Sequence, residues 1–164
     1  VFLTGEKGIG KSTVLKKVIQ NINCSMGGFI QDKEFKNDRT TFKVLSLHEP
    51  GKSYNIGIYD INKSSLYTDI NIFNIISKEI LQKSMASRDL IILDELGFME
   101  ENSEVFKESV FNILNSNTPV LGVLKECDTS FINNIKRRTD VQVIRIDKTN
   151  RDKMDAQIIK LLLK

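Results

Sequence analysis

Residues Gly5-Glu6-Lys7-Gly8-Ile9-Gly10-Lys11-Ser12 restrict what this chain can fold into more than any other stretch. They read G-x-x-x-x-G-K-[ST], and their flanks suit that pattern. Before them runs Val1-Phe2-Leu3-Thr4, apolar and β-rich; after them Thr13-Val14-Leu15-Lys16-Lys17-Val18-Ile19 reads as a helix. Strand, glycine-rich turn and helix in that order make a phosphate-binding loop. The glycines let the backbone curl so that successive N–H groups converge on phosphate oxygens. A helix opening at Lys11 adds unpaired N–H groups and the positive end of its dipole. Gly5, Glu6, Lys7, Gly8, Ile9, Gly10, Lys11, Ser12 and Thr13 are therefore expected around a nucleotide's phosphates. Lys11 would act catalytically by reaching the β- and γ-phosphates, and the Ser12 hydroxyl would bind Mg²⁺.

A chain of 164 residues is expected to form one domain, spanning 1–164, with enough core to fold without staples. At 40% apolar and 27% charged it has the composition of a soluble globular protein. No window approaches a membrane span. There is no signal peptide, and Val1 already lies in the first strand without an initiator Met, which suggests a natural start a few residues upstream. The net charge of +3 comes from 24 basic and 21 acidic residues spread along the chain. That balance argues against a nucleic-acid partner and leaves a protein partner open. Cys24 and Cys127 are far apart and His48 is the single histidine, so a reduced, cytoplasmic chain without disulfide or zinc is expected.

Beyond the loop the pattern alternates strand and helix, as in a mostly parallel α/β sheet. A helix is expected at 11–23. Short mixed runs at 28–34, 41–48 and 55–60, separated by Asn37-Asp38 and Glu49-Pro50-Gly51-Lys52, read as antiparallel strands of an insertion covering about 27–60. A helix at 70–84 follows, with Ile72, Phe73, Ile76, Ile80 and Leu81 on one face. Helices at 103–115, 129–138 and 151–163 then alternate with strands at 89–93, 120–125 and 141–146.

Ile91-Ile92-Leu93-Asp94-Glu95 is a hydrophobic strand ending in two carboxylates. Ligands of open parallel sheets bind beyond the C-terminal strand ends, which would bring both acids beside the phosphate loop. Asp94 would hold Mg²⁺ directly or through its water shell. Glu95 could polarise the water that attacks the γ-phosphate. An acid immediately after the metal-binding Asp favours the phosphate-loop division that inserts a strand between the loop strand and the Asp strand. Here that strand should be Val120–Lys125, and its polar end, Lys125-Glu126, could sense the γ-phosphate.

Gly27-Gly28-Phe29, Asp94-Glu95-Leu96-Gly97-Phe98-Met99-Glu100, Gly122-Val123-Leu124, Ile135-Lys136-Arg137-Arg138-Thr139-Asp140-Val141 and Asn150-Arg151-Asp152 occur in the same order in thermophile-type nucleoside triphosphatases. The chain resembles that family over essentially its whole length, with Tyr67 also at a position where the family usually has Tyr. The resemblance implies a RecA-like sheet with a small antiparallel addition. It also implies slow, Mg²⁺-dependent hydrolysis of several nucleoside triphosphates, ATP and GTP among them, to diphosphate and phosphate. Departures are visible. Phe98 stands where the family usually carries Lys, Lys7 where it often has Pro, and Asp32-Lys33-Glu34 where an acid-Val-Arg run is usual, with Arg39 near the later basic position.

Arg151, expected at the start of the last helix, is electrostatically misplaced at a helix N-terminus. It could stack on the nucleotide base, approach the γ-phosphate, or pair with Asp147 or Asp155 at the surface. Lys136-Arg137-Arg138 reads as a solvated helix end and His48 as a surface or strand histidine. Two other functions use the same loop. A nucleoside or nucleotide kinase needs an acceptor pocket and an Arg-rich lid, and with six Arg and no Arg-rich insert none is visible. A nucleotide-dependent regulatory module would hydrolyse only with a partner.

Overall fold

The computed structural model describes residues 1–163. Its strands are β1 (Phe2–Thr4), β2 (Met26–Lys36), β3 (Arg39–Ser46), β4 (Ser53–Asp60), β5 (Ser65–Tyr67), β6 (Leu90–Leu96), β7 (Val120–Leu124) and β8 (Val143–Arg145). The helices are α1 (Lys11–Asn21), α2 (Ile70–Ile76), α3 (Lys83–Ser87), α4 (Glu104–Leu114), α5 (Ser130–Lys136) and α6 (Met154–Leu162). A π-helical stretch, Ser77–Gln82, joins α2 to α3, so the helix expected at 70–84 is present but widened in its middle.

All eight strands belong to one sheet, in the order β5-β4-β3-β2-β6-β7-β1-β8. From the start of β2 through β8 the neighbours run parallel; from β2 to β5 they run antiparallel. β7 lies between β1 and β6, as the adjacent acids at 94 and 95 anticipate. Strand parity distributes the core over two faces. Phe2, Ile91, Leu93, Val120 and Leu124 join the layer of α2, α4 and α5, where Phe73, Phe106 and Phe131 pack. Leu3, Leu90, Ile92, Leu121 and Val123 join the layer of α1 and α6, with Val14, Leu15, Val18 and Ile158. Continuous apolar runs in β6 and β7 are thus the mark of strands buried on both sides. Side-chain caps fix three helix starts: Asp69 accepts from the Asn71 N–H, Ser103 from Phe106 and Thr129 from Ile132.

Two differences from the sequence expectation concern the sheet. The segment 27–60 is not wholly an insertion, because Met26–Phe29 pair parallel with Leu90–Leu93 and close a β-α-β crossover through α1. Gly27 and Gly28 hide this start. Gly28 has φ +80° and its Cβ would run into the Ile92 backbone, while one on Gly27 would strike Ser84. Two residues that read as a chain break are the two that let α3 and β6 approach β2 closely. The antiparallel arm also runs on to β5, entered through Ser64 at φ 48°.

Candidate functional site

β1 ends at Thr4 and the chain turns through Gly5, Gly8 and Gly10, with φ of 136°, 80° and 112°. The loop is pressed on the neighbouring strand, since a Cβ at Gly5 would lie 2.5 Å from the Ile146 carbonyl oxygen. Gly10 begins α1 without any side-chain cap, so the first N–H groups of the helix have no partner from it. Lys11 bends back over the loop and Nζ donates to the carbonyls of Gly5 (2.6 Å) and Glu6 (2.8 Å). Burial lowers the Lys11 pKa, with Glu95 the leading opposing influence. Glu6, Lys7, Gly8 and Thr13 are exposed, while Ile9, Gly10 and Ser12 are half-buried.

Asp94 ends the buried run of β6 and is itself 1% exposed. The Gln31 N–H donates to Oδ2 at 3.1 Å, whereas Oδ1 is buried with no hydrogen-bond partner. Burial raises the Asp94 pKa to about 6. A carboxylate with one oxygen anchored and the other left bare beside a phosphate loop is suited to a cation.

Glu95 follows at φ 59°, a left-handed conformation rare for a residue with a Cβ. The β6–β7 register shifts here: Leu93 pairs with Gly122 but Leu96 with Leu124, so β6 carries one extra residue. Such a bulge re-aims a side chain at the end of a strand. The result is that Glu95 lines an open cleft with Ser12, Gln31, Asp32 and Lys33. Positive-φ backbone of this kind costs about 1–3 kcal/mol and collects at functional sites. Glu100, 4% exposed, supports the turn after the bulge by accepting from the Gly97 N–H. Burial raises its pKa.

Lys33 and Lys125 approach Glu95 Oε2 at 3.4 and 3.6 Å. The sequence places Lys125 near the site; Lys33 escapes it, although alternation from Phe29 through Gln31 puts Lys33 on the same face of β2. Arg151 lies in the turn before α6, which begins at Met154, and not in the helix. Its Nη1 donates to the Ile9 carbonyl at 3.4 Å, and its Cδ is 3.7 Å from where a Gly10 Cβ would be. Its carboxylate neighbour is Asp152 at 3.7 Å, not Asp147 or Asp155. Asp147 instead accepts from the N–H groups of Thr149 and Asn150, and the Asn150 side chain bonds Asp147 N and Arg145 O, which stiffens the turn that delivers Arg151. His48 accepts from Arg88 Nε beside the start of β2, where the Leu47 N–H bonds the Gly28 carbonyl and Arg88 lies against Gly27.

A phosphate loop after β1, two carboxylates at the end of β6 and β7 between those strands define a phosphate-loop NTPase with a RecA-like sheet. The NTPase family matches residues 1–159, and the chain belongs to it; this is an enzyme family of nucleoside-triphosphate hydrolysis. The nucleoside-triphosphatase THEP1 of Thermotoga sp. (strain RQ2) is 29% identical over 99% of this chain and 94% of that relative. THEP1 of Methanocaldococcus jannaschii is 28% identical over 99% and 96%. Among solved structures, the crystal structure of THEP1 from the hyperthermophile Aquifex aeolicus superposes with a TM-score of 0.80 at 23% identity, covering 100% of this chain and 99% of the other. The solution structure of a human cancer-related nucleoside triphosphatase gives 0.77 at 21%, covering 99% and 96%. The last two bear on the fold.

Proposed function

We propose that this NTPase hydrolyses nucleoside triphosphates to diphosphate and phosphate in the cytoplasm, that its reaction depends on Mg²⁺, and that Lys11, Ser12, Asp94 and Glu95 are its working residues. The observation that carries this reading is the pairing of a bare, buried Asp94 Oδ1 with a Glu95 turned by positive φ into the cleft that Ser12 lines. Residues 5–13 would cradle the phosphates, and the Lys11 ammonium would exchange its two loop carbonyls for β- and γ-phosphate oxygens. Asp94 and Ser12 fit Mg²⁺. Among the described residues no three His, Cys, Asp or Glu side chains cluster, which suits an ion that takes much of its shell from phosphate and water. When bound, Mg²⁺ supplies charge neutralisation at the phosphate oxygens.

Glu95 orients a water and takes its proton. The water oxygen bonds to the γ-phosphorus as the bond from that phosphorus to the β–γ bridging oxygen breaks, and the bridging oxygen departs with the diphosphate. Arg151, held against Ile9 and Gly10, would then contact the nucleotide beside the loop. Among the described residues Arg39, Arg138 and Arg145 pair with Asp60, Asp140 and Glu126, and Arg88 with His48, which leaves them poor candidates for a kinase's Arg-rich lid. No described helix is long and apolar enough to cross a membrane.

The test is phosphate release by the pure protein from a panel of nucleoside triphosphates, with Mg²⁺ or with chelator, and with or without nucleosides or RNA. Release from several triphosphates by the protein alone, lost on chelation, is expected. Transfer that needs a nucleoside would make it a kinase, and release that needs RNA a partner-dependent module.

A further inference from the structure

Glu95 is held from both sides by cations on the two strands that flank β6. Lys33 comes from β2 and Lys125 from the residue after β7, and both point at one oxygen, Oε2, at 3.4 and 3.6 Å. That oxygen is buried and has no hydrogen bond, so its hold on the two ammonium groups is Coulombic without directional bonding. Two like charges are kept together by aromatic faces: Lys33 and Lys125 lie 5.7 and 5.9 Å from the Phe42 ring centre, and Lys125 lies 5.6 Å from that of Phe98. Phe98, half exposed, thereby has a part in the site as a platform for Lys125. Two positive charges face one carboxylate, and the surplus is positive.

Resting on the hydrolase reading above, we propose that Lys33 and Lys125 form a γ-phosphate clamp, parked on Glu95 until a triphosphate draws it off. Ser12, Glu95 and Lys33 line one cleft, and Lys125 reaches the same Glu95 oxygen, so a phosphate chain seated over Ser12 would bring its last phosphate beside Glu95 and the lysines. A terminal phosphate carries more negative charge and more acceptor oxygens than one carboxylate, and it can satisfy both ammonium groups. Their transfer leaves Glu95 free to hold a water at the moment the γ-phosphate arrives. A diphosphate does not reach the clamp, so Glu95 stays paired. The two lysines thus favour triphosphate over diphosphate and restore the resting pairing once phosphate has left.

The experiment compares affinity for the Mg²⁺ complexes of β,γ-imido-ATP and ADP, by calorimetry, in the wild type and in Lys33→Met, Lys33→Arg and Lys125→Met. Lys33→Met should weaken the triphosphate analogue about tenfold or more, the size of one lost charge-assisted contact, while ADP changes less than about twofold. Lys33→Arg should recover most of the loss, and Lys125→Met should act in the same direction as Lys33→Met. Thermal melts of the same variants confirm that each is folded; the Lys33 side chain is one-third exposed. Equal weakening of both nucleotides, or no change in either, overturns the clamp. Phosphate release by the wild type is a separate readout: a protein that binds triphosphate over diphosphate through Lys33 but releases no phosphate keeps the clamp and sinks the hydrolase reading.

Discussion

β6 and β7 are buried on both faces from Leu90 to Leu93 and from Val120 to Leu124, whereas the arm β2–β5 leaves Phe35, Ile58 and Tyr67 in solvent and its outer half is lined with charge. The two regions contribute to the site differently. The doubly buried strands fix backbone: the loop glycines, the bulge at Glu95 and the bare Asp94 depend on strands that have no room to shift. The arm supplies side chains, Gln31, Asp32 and Lys33, from one strand that belongs to both regions. A buried half that sets geometry and a more exposed half that adds charge is a division that β2 makes possible, parallel at one end and antiparallel at the other.

Sharp differences between the halves are expected under substitution. The largest is Lys11→Ala, which should abolish productive triphosphate binding. Lys7 is exposed on the loop's earlier arm, and Lys33, beyond Glu95, would meet only the terminal phosphate, so neither replaces the charge that bridges the β- and γ-oxygens. Titration calorimetry with a non-hydrolysable triphosphate checks it, and wild-type affinity in this variant would break the loop reading. Next comes Phe106→Ala in the helical layer over β6, where Phe106 is 1% exposed against Phe29 and Phe73. Denaturant unfolding should show a loss of about 3–5 kcal/mol.

Asp94→Asn gives a smaller change of opposite sign. Burial raises Asp94 from 3.8 to about 6. A carboxyl with a higher pKa in the folded state binds its proton more tightly there, so its contribution to stability is full below 3.8 and is lost as pH rises through about 6. The unligated wild type should therefore weaken over that window. Asp94→Asn, neutral throughout, should be more stable than the wild type by about 1–3 kcal/mol near pH 7, with the gap closing in acid. It should also lose the Mg²⁺-dependent part of nucleotide binding. The smallest effect belongs to the arm: Phe35→Ser, at a site 75% exposed, should shift unfolding by no more than about 0.5 kcal/mol. A larger loss would mean that the outer arm is packed and not free.

The same division explains what the sequence reveals. The phosphate loop and the Asp94-Glu95 pair are legible because each is a contiguous stretch whose chemistry needs fixed neighbours. The position of β7 follows from Glu95 lying next to Asp94. β2 is harder to read at its start, because Gly27 and Gly28 offer no apolar side chains to show alternation; their role is close approach to Ser84 and Ile92. Arg151 lies beside the loop and outside the helix expected to carry it, because the Asp147 and Asn150 side chains satisfy backbone groups in a turn that α6 would otherwise absorb. The partnership of Lys33 with Glu95 depends on β2 being the neighbour of β6, a fact of topology that no local pattern encodes.

In the proposed reaction Asp94 binds while Glu95 acts on water, and Glu95→Gln separates the two. Glutamine keeps the size of the side chain but accepts no proton from water. Mg²⁺ and ADP affinity by calorimetry should stay near the wild-type values and triphosphate affinity should be equal or tighter, since Lys33 and Lys125 lose their resting carboxylate. Phosphate release should fall by about 10²-fold or more, the usual worth of a general base. Near-normal phosphate release from Glu95→Gln would mean that Glu95 is not the group that activates water.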